Sequence, residues 1–123
     1  MQFASIRIIS DNVNDLAEFY EVVTGLAAVR PSPVFAEFRS ATGTLAIASP
    51  VTVAMLGIRA PRSGSNQSVI IEFLVDDVDS EFSRLRGILG DIVLEPTTMP
   101  WGNRSTIFAD PDGNLVNLFS RPD

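Results

Sequence analysis

The sequence contains no histidine, no cysteine and no lysine; its nine basic residues are all arginine. Without histidine, the side chain most used as a general base near neutral pH and as a metal ligand is missing. Without cysteine there is no disulfide, no thiolate zinc site and no thiol nucleophile. Any chemistry must come from carboxylates, arginine, hydroxyls, amides or backbone groups. Positive charge is scarce too: fifteen acids against nine arginines leave a formal net charge of −6. That balance disfavours a nucleic-acid backbone or an anionic membrane surface as partner, since both require an excess of positive charge. No apolar run reaches the ~20 residues of a membrane-spanning helix. The first residues, Met1-Gln2-Phe3-Ala4-Ser5-Ile6-Arg7, lack the basic-then-apolar layout of a signal peptide. A soluble cytoplasmic protein is expected.

What is present suits one folded domain over residues 1–123. Apolar residues make up 46% and charged residues 20%, a globular balance rather than a disordered one. The chain reads as one pattern written twice. Displaced by 65 positions, Ile6 falls on Ile71, Ile8 on Phe73, Asn12 on Asp77, Val13 on Val78, Tyr20 on Leu85 and Gly25 on Gly90. Each copy is a short apolar strand, an N-cap residue, a stretch with helical apolar spacing and a glycine placed to end the helix in the left-handed conformation. Val13, Leu16, Phe19, Tyr20 and Val23 share one helical face, as do Val78, Phe82, Leu85, Ile88 and Leu89.

The later part of each copy repeats at a displacement of 70, with Phe38 on Phe108, Gly43 on Gly113, Leu45 on Leu115 and Ile47 on Asn117. Each copy then holds a strand, a glycine-containing turn and another strand. Thr42-Gly43-Thr44 turns the first hairpin and Asp110-Pro111-Asp112-Gly113-Asn114 the second. The second copy has five extra residues between Gly90 and about Arg104, a segment that includes Met99-Pro100-Trp101-Gly102-Asn103. The weakest strands are Ala27–Val29 and Ile92–Leu94. The repeats span about 3–50 and 68–120, and residues 51–67 join them. Within that joint, Val51–Ile58 is apolar and reads as an extra strand or an interface segment, and 60–67 reads as a linker.

Two βαβββ copies, the stretch Trp101-Gly102-Asn103-Arg104 followed by Asp110-Pro111-Asp112-Gly113-Asn114-Leu115-Val116-Asn117-Leu118, and the first helix with Phe19-Tyr20 together resemble the vicinal oxygen chelate superfamily. That superfamily comprises glyoxalases, bleomycin-resistance proteins and extradiol dioxygenases. The resemblance covers nearly the whole chain. It implies an α+β fold in which two βαβββ modules form a curved mixed sheet, a cup, with helices on its outer face. It also implies a homodimer whose cups are formed or completed by both chains. Enzymes of the family hold a divalent metal on His or Glu at four places, on the first and last strands of each half. Mapped onto this chain those places are Ser5, Ile47, Ile70 and Asn117. A hydroxyl, two aliphatic groups and an amide do not make a divalent site, so no metal and no other cofactor is expected.

Strand alternation puts Arg7 and Glu72 on the same side as Ser5 and Ile70, with Ile6, Ile8, Ile71, Phe73 and Val75 toward the helices. Arg7 and Glu72 are mates in the repeat and are expected to lie near each other across the cup floor. Two readings stand: a structural ion pair, or a pair in which Arg7 fixes an anionic group of a ligand and Glu72 accepts a hydrogen bond or acts as a base. Burial raises the pKa of a carboxyl and a neighbouring arginine lowers it, so the two effects oppose each other at Glu72. Trp101, the single tryptophan, is either a loop anchor or a pocket wall. Asn117 is a satisfied amide or a ligand contact, and Ser5 completes the candidate ligand-binding set.

The function that follows is metal-independent binding of an unidentified small organic molecule, of the glyoxalase and bleomycin-resistance type, with sequestration of an antibiotic or toxic metabolite as its activity. The alternative is a glyoxalase-like lyase or isomerase using an atypical metal site or Glu72 as general base.

Overall fold

The computed structural model describes all residues, Met1–Asp123, and the chain divides into two compact units, Met1–Ser65 and Asn66–Asp123. Each unit is a four-stranded mixed sheet with one α-helix packed against it, the βαβββ order the repeat predicts. In the first unit the elements are β1 (Ser5–Ile9), α1 (Val13–Thr24), β2 (Val29–Ser32), β3 (Phe35–Arg39) and β4 (Thr44–Ala48). The sheet order is β1-β4-β3-β2, with β1 parallel to β4 and the other pairs antiparallel. In the second unit β5 (Ile70–Leu74), α2 (Val78–Leu85), β6 (Ile92–Thr98), β7 (Arg104–Ala109) and β8 (Leu115–Ser120) repeat that plan in the order β5-β8-β7-β6. No helix is long and apolar enough to cross a membrane.

The helical stripes bury as their spacing requires. Leu16, Ala17 and Tyr20 of α1 are fully buried, and the Tyr20 ring lies 6.1 Å from that of Phe38 on β3. Val78, Phe82 and Leu85 do the same for α2. Each large side chain so buried contributes about 1.5–3 kcal/mol. Gly25 ends α1 as expected, in the left-handed conformation (φ 72°), its N–H donating to the Glu21 carbonyl at 2.9 Å. The two N-caps differ. Asp77 accepts from the Ser80 N–H at 3.1 Å, whereas Asn12 makes no side-chain cap.

Gly90 departs from expectation. The second helix stops at Leu85, capped by Arg86 in right-handed geometry, and Gly90 is not among the glycines with positive φ. Ile88 lies past the helix end and is exposed. The segment Pro50–Arg59 is neither an added strand nor a featureless linker. It is a 3₁₀ helix kinked at Gly57, started by Ser49 and fixed to the first unit by Val53, which packs with Ile9 and Ala48. Beyond it, Ser63 Oγ accepts from the Asp11 N–H at 2.9 Å.

Candidate functional site

Pairing register determines which side chains share a sheet face. In the first unit Phe38, Leu45, Ile47, Ala36, Ile6 and Ile8 face α1, because Leu45 stands beside both Ile6 and Phe38, and Ile47 beside both Ile8 and Ala36. The opposite face carries a row of direct neighbours: Arg7, Ala46, Glu37 and Val29, in that order across the four strands. In the second unit Phe108, Val116, Leu118 and Thr106 are the fully buried residues of β7 and β8. The face away from α2 carries the row Glu72, Asn117, Ile107 and Leu94. Arg7 and Glu72 thus hold the same position in their respective sheets.

This register corrects the placement of Ile47. Ile47 is fully buried against α1, on the face opposite Ser5 and Arg7, and the residue matching Asn117 is Ala46. The cause is loop length. The Asp110–Asn114 turn is one residue longer than its counterpart, so Phe38 stands beside Leu45 but Phe108 stands beside Val116. The extra residue is accommodated by a network around Asp110. Its Oδ1 accepts from the N–H groups of Asp112 and Asn114, both at 2.9 Å, and its Oδ2 from Asn114 Nδ2 at 2.8 Å. Gly113 takes positive φ (87°) to close the turn.

The second-unit row contains the most telling polar contact. Asn117 is 7% exposed, and its Nδ2 donates to Glu72 Oε2 at 2.8 Å. That contact fixes the amide orientation, since a carboxylate can only accept. The Asn117 Oδ1 is buried and has no hydrogen-bond partner. A buried carbonyl in this state is uncommon and costs free energy until a donor reaches it. Around the pair, the same face presents Ile70, Leu74, Ile107, Leu115 and Phe119, with Ile70 and Leu74 about half exposed. These flanking residues were absent from the candidate set drawn from sequence; strand alternation names them once the register is known.

Among the other candidates, Arg7 is exposed and makes no hydrogen bond or ion pair within the chain. Its row neighbour Glu37 is engaged by Arg39, whose Nε lies 3.1 Å from Oε2. Ser5 is exposed beside Thr44. Trp101 is 69% exposed at the tip of the β6–β7 hairpin, a turn closed by Met99 N–H to Asn103 carbonyl at 2.7 Å. It lies beyond Arg104, which pairs with Ser120, about 10 Å along β8 from Asn117. Arg104 is a structural residue: its Nε and Nη2 hold the two Asp79 oxygens at 2.7 and 2.8 Å, and Nη1 donates to Thr98 Oγ1 at 3.1 Å. The Arg104 hydrogen bonds hold the Asp79 carboxyl below its ordinary pKa, and Asp79 in turn raises that of Arg104.

The residues do not suit a divalent metal. At the four places the register leaves Ser5 and Ala46 in the first unit and Ile70 and Asn117 in the second, and no three acidic side chains gather anywhere. The oxygen donors of the second row are one carboxylate and one amide, short of what a hard cation needs.

A family model described as Glyoxalase/Bleomycin resistance protein/Dioxygenase superfamily matches residues 2–118. No curated protein matches the sequence. Among solved structures, a glyoxalase/bleomycin resistance protein/dioxygenase from Nocardioides is 20% identical, with a TM-score of 0.81 over 100% of this chain and 85% of that one. A glyoxalase-related enzyme from Fulvimarina pelagi is 20% identical, with a TM-score of 0.82 over 98% of this chain and 88% of that one. Lactoylglutathione lyase from Agrobacterium tumefaciens is 22% identical, with a TM-score of 0.73 over 98% and 92% of the two chains. At such identities the likeness speaks for the fold alone.

Proposed function

Since the chain belongs to the glyoxalase/bleomycin resistance protein/dioxygenase superfamily, we propose that it is a metal-independent binding protein for a small organic molecule, held on the helix-free face of the second sheet. The observation that carries this reading is the buried, unpaired Asn117 carbonyl beside the Glu72 carboxylate, flanked by Ile107, Leu115 and Phe119. A protein retains such a group at a cost to stability, which a ligand donor offsets. In the first unit the unpartnered, exposed Arg7 is by itself a group suited to an anionic ligand. The lack of a suitable donor set supports binding over the metal-dependent reactions of the family.

A homodimer belongs to the same reading. It is supported by Val51, Met55, Leu56 and Ile58, four large apolar side chains exposed on the 3₁₀ segment.

Thermal unfolding against a library of small organic molecules, with and without a chelator, tests the binding reading. The expected result is a subset of compounds that raise Tm equally in both conditions, by mass action on the folded state. A stoichiometric divalent ion in the purified protein, with ligand stabilisation lost on chelation, would overturn it.

A further inference from the structure

Resting on that reading, we infer that the ligand presents a protonated amine, or a similar cationic N–H donor, to the Asn117–Glu72 pair. The pair is made of acceptors. Asn117 gives one of its two N–H bonds to Glu72 Oε2 at 2.8 Å, and what the pair leaves unmet is chiefly acceptor capacity: a buried amide oxygen without a partner and the remaining lone pairs of the carboxylate. No arginine of the chain is hydrogen-bonded or ion-paired to Glu72, so nothing within the protein neutralises this carboxylate.

A ligand carboxylate or phosphate there would meet a like charge and a carbonyl dipole of the wrong sign. A single hydroxyl has one proton and can satisfy one of the two acceptors. An ammonium has several N–H groups around one centre, so it can donate to Asn117 Oδ1 and to Glu72 together while cancelling the charge. Ile107 stands beside Asn117 in the row, and Leu115 and Phe119 flank it along β8 on the same face. Apolar neighbours lower the local dielectric on the Asn117 side of the pair, while the exposed Glu72 carboxylate stays open to an incoming donor. They also fit an apolar or aromatic body attached to the amine. The net charge of −6 adds a favourable long-range field for a cation.

Four matched probes separate the contributions: benzylammonium, benzyltrimethylammonium, benzyl alcohol and benzoate, followed by amide chemical shifts of the full chain in NMR titrations. Benzylammonium is expected to move the Asn117 side-chain amide and the backbone amides of β5 and β8. It should bind at least tenfold more tightly than benzyltrimethylammonium, which keeps the charge and lacks N–H, and than benzoate. Glu72→Gln should lose that preference and bring benzylammonium to the level of benzyl alcohol. Equal binding of the trimethylated probe, or tighter binding of benzoate or benzyl alcohol on these strands, overturns the amine assignment while leaving the small-molecule reading intact. Silence of both sheets toward all four probes, with other compounds of the library stabilising the protein, likewise overturns it. Silence toward the probes and the library together defeats both.

Discussion

A buried amide oxygen without a donor distinguishes Asn117 from the other buried polar side chains of its sheet. Thr106 on the neighbouring strand is fully buried too, but its Oγ1 donates to the Leu94 carbonyl at 2.8 Å. The two residues should therefore respond oppositely to apolar replacement of similar shape. Thr106→Val removes the hydroxyl's bond to the half-buried Leu94 carbonyl and is expected to lower stability by about 1 kcal/mol. Asn117→Leu removes an unsatisfied oxygen, and the Glu72 carboxylate it releases is exposed and can be rehydrated. Its midpoint in urea should be unchanged or higher, while binding of benzylammonium is lost. Denaturation curves of the two variants beside the parent check this. A clear loss of stability in Asn117→Leu would show that the amide serves the fold rather than a ligand.

At the scale of elements, the two glycines that end the helices in the repeat are not equivalent. Gly25 has φ 72° with nothing within 4 Å of an added Cβ, so Gly25→Ala meets no clash and costs about 1 kcal/mol through backbone conformation alone. Gly90 has neither constraint, and Gly90→Ala is expected to be neutral or slightly stabilising. Paired thermal melts decide it. The Asp79–Arg104 clamp ties the first turn of α2 to β7 and carries a pH signature. Its hydrogen bonds with Arg104 hold Asp79 below the ordinary carboxyl pKa of about 4. The stabilisation is therefore complete above that ordinary value and is lost as pH falls through the lowered one. Arg104→Gln should lower stability slightly at neutral pH and not at all in strong acid, so the two pH–stability curves should converge once pH has fallen through the lowered Asp79 pKa. Both groups are exposed, and the neutral-pH difference should shrink in high salt.

Local patterning and long-range register leave different traces in these elements. Helical spacing and strand alternation act over a few residues, so α1 with its stripe, the α2 stripe as far as Leu85, and the sheet faces that carry Arg7 and Glu72 were legible. Gly90 was not, because the helix stops at Leu85 with Arg86 as its cap, directly before Gly87, three residues ahead of the glycine that the repeat aligns with Gly25. Ile47 was misplaced because matching Gly43 to Gly113 assumes turns of equal length. One added residue between Asp110 and Asn114 moves every later side chain to the other face. Glu72 and Asn117 were both candidates, but that they stand side by side is a matter of the β5–β8 pairing register, which alternation within a single strand does not specify.

At the scale of the molecule, electrostatics and apolar exposure pull in opposite directions. Each chain carries −6, so two copies repel over most approaches. From Val51 to Ile58 there is no charged residue, and Val51, Met55, Leu56 and Ile58 are between 57% and 101% exposed. The segment is not loose, since Val53 is 4% exposed and packed with Ile9 and Ala48. A rigid, uncharged, apolar surface is where copies of an acidic chain can meet while separating their acids. If the proposed homodimer forms there, added salt should tighten it, because salt screens the repulsion between the chains and leaves apolar burial intact or strengthened. Met55→Glu with Ile58→Glu should shift the protein to monomer while leaving the fold of the single chain intact, because both side chains are exposed on it, and the concentration dependence of its unfolding midpoint should disappear. Sedimentation at low and high salt reads both effects. A parent protein that stays monomeric at every salt concentration, or a double variant that still dimerises, would remove this segment as the contact.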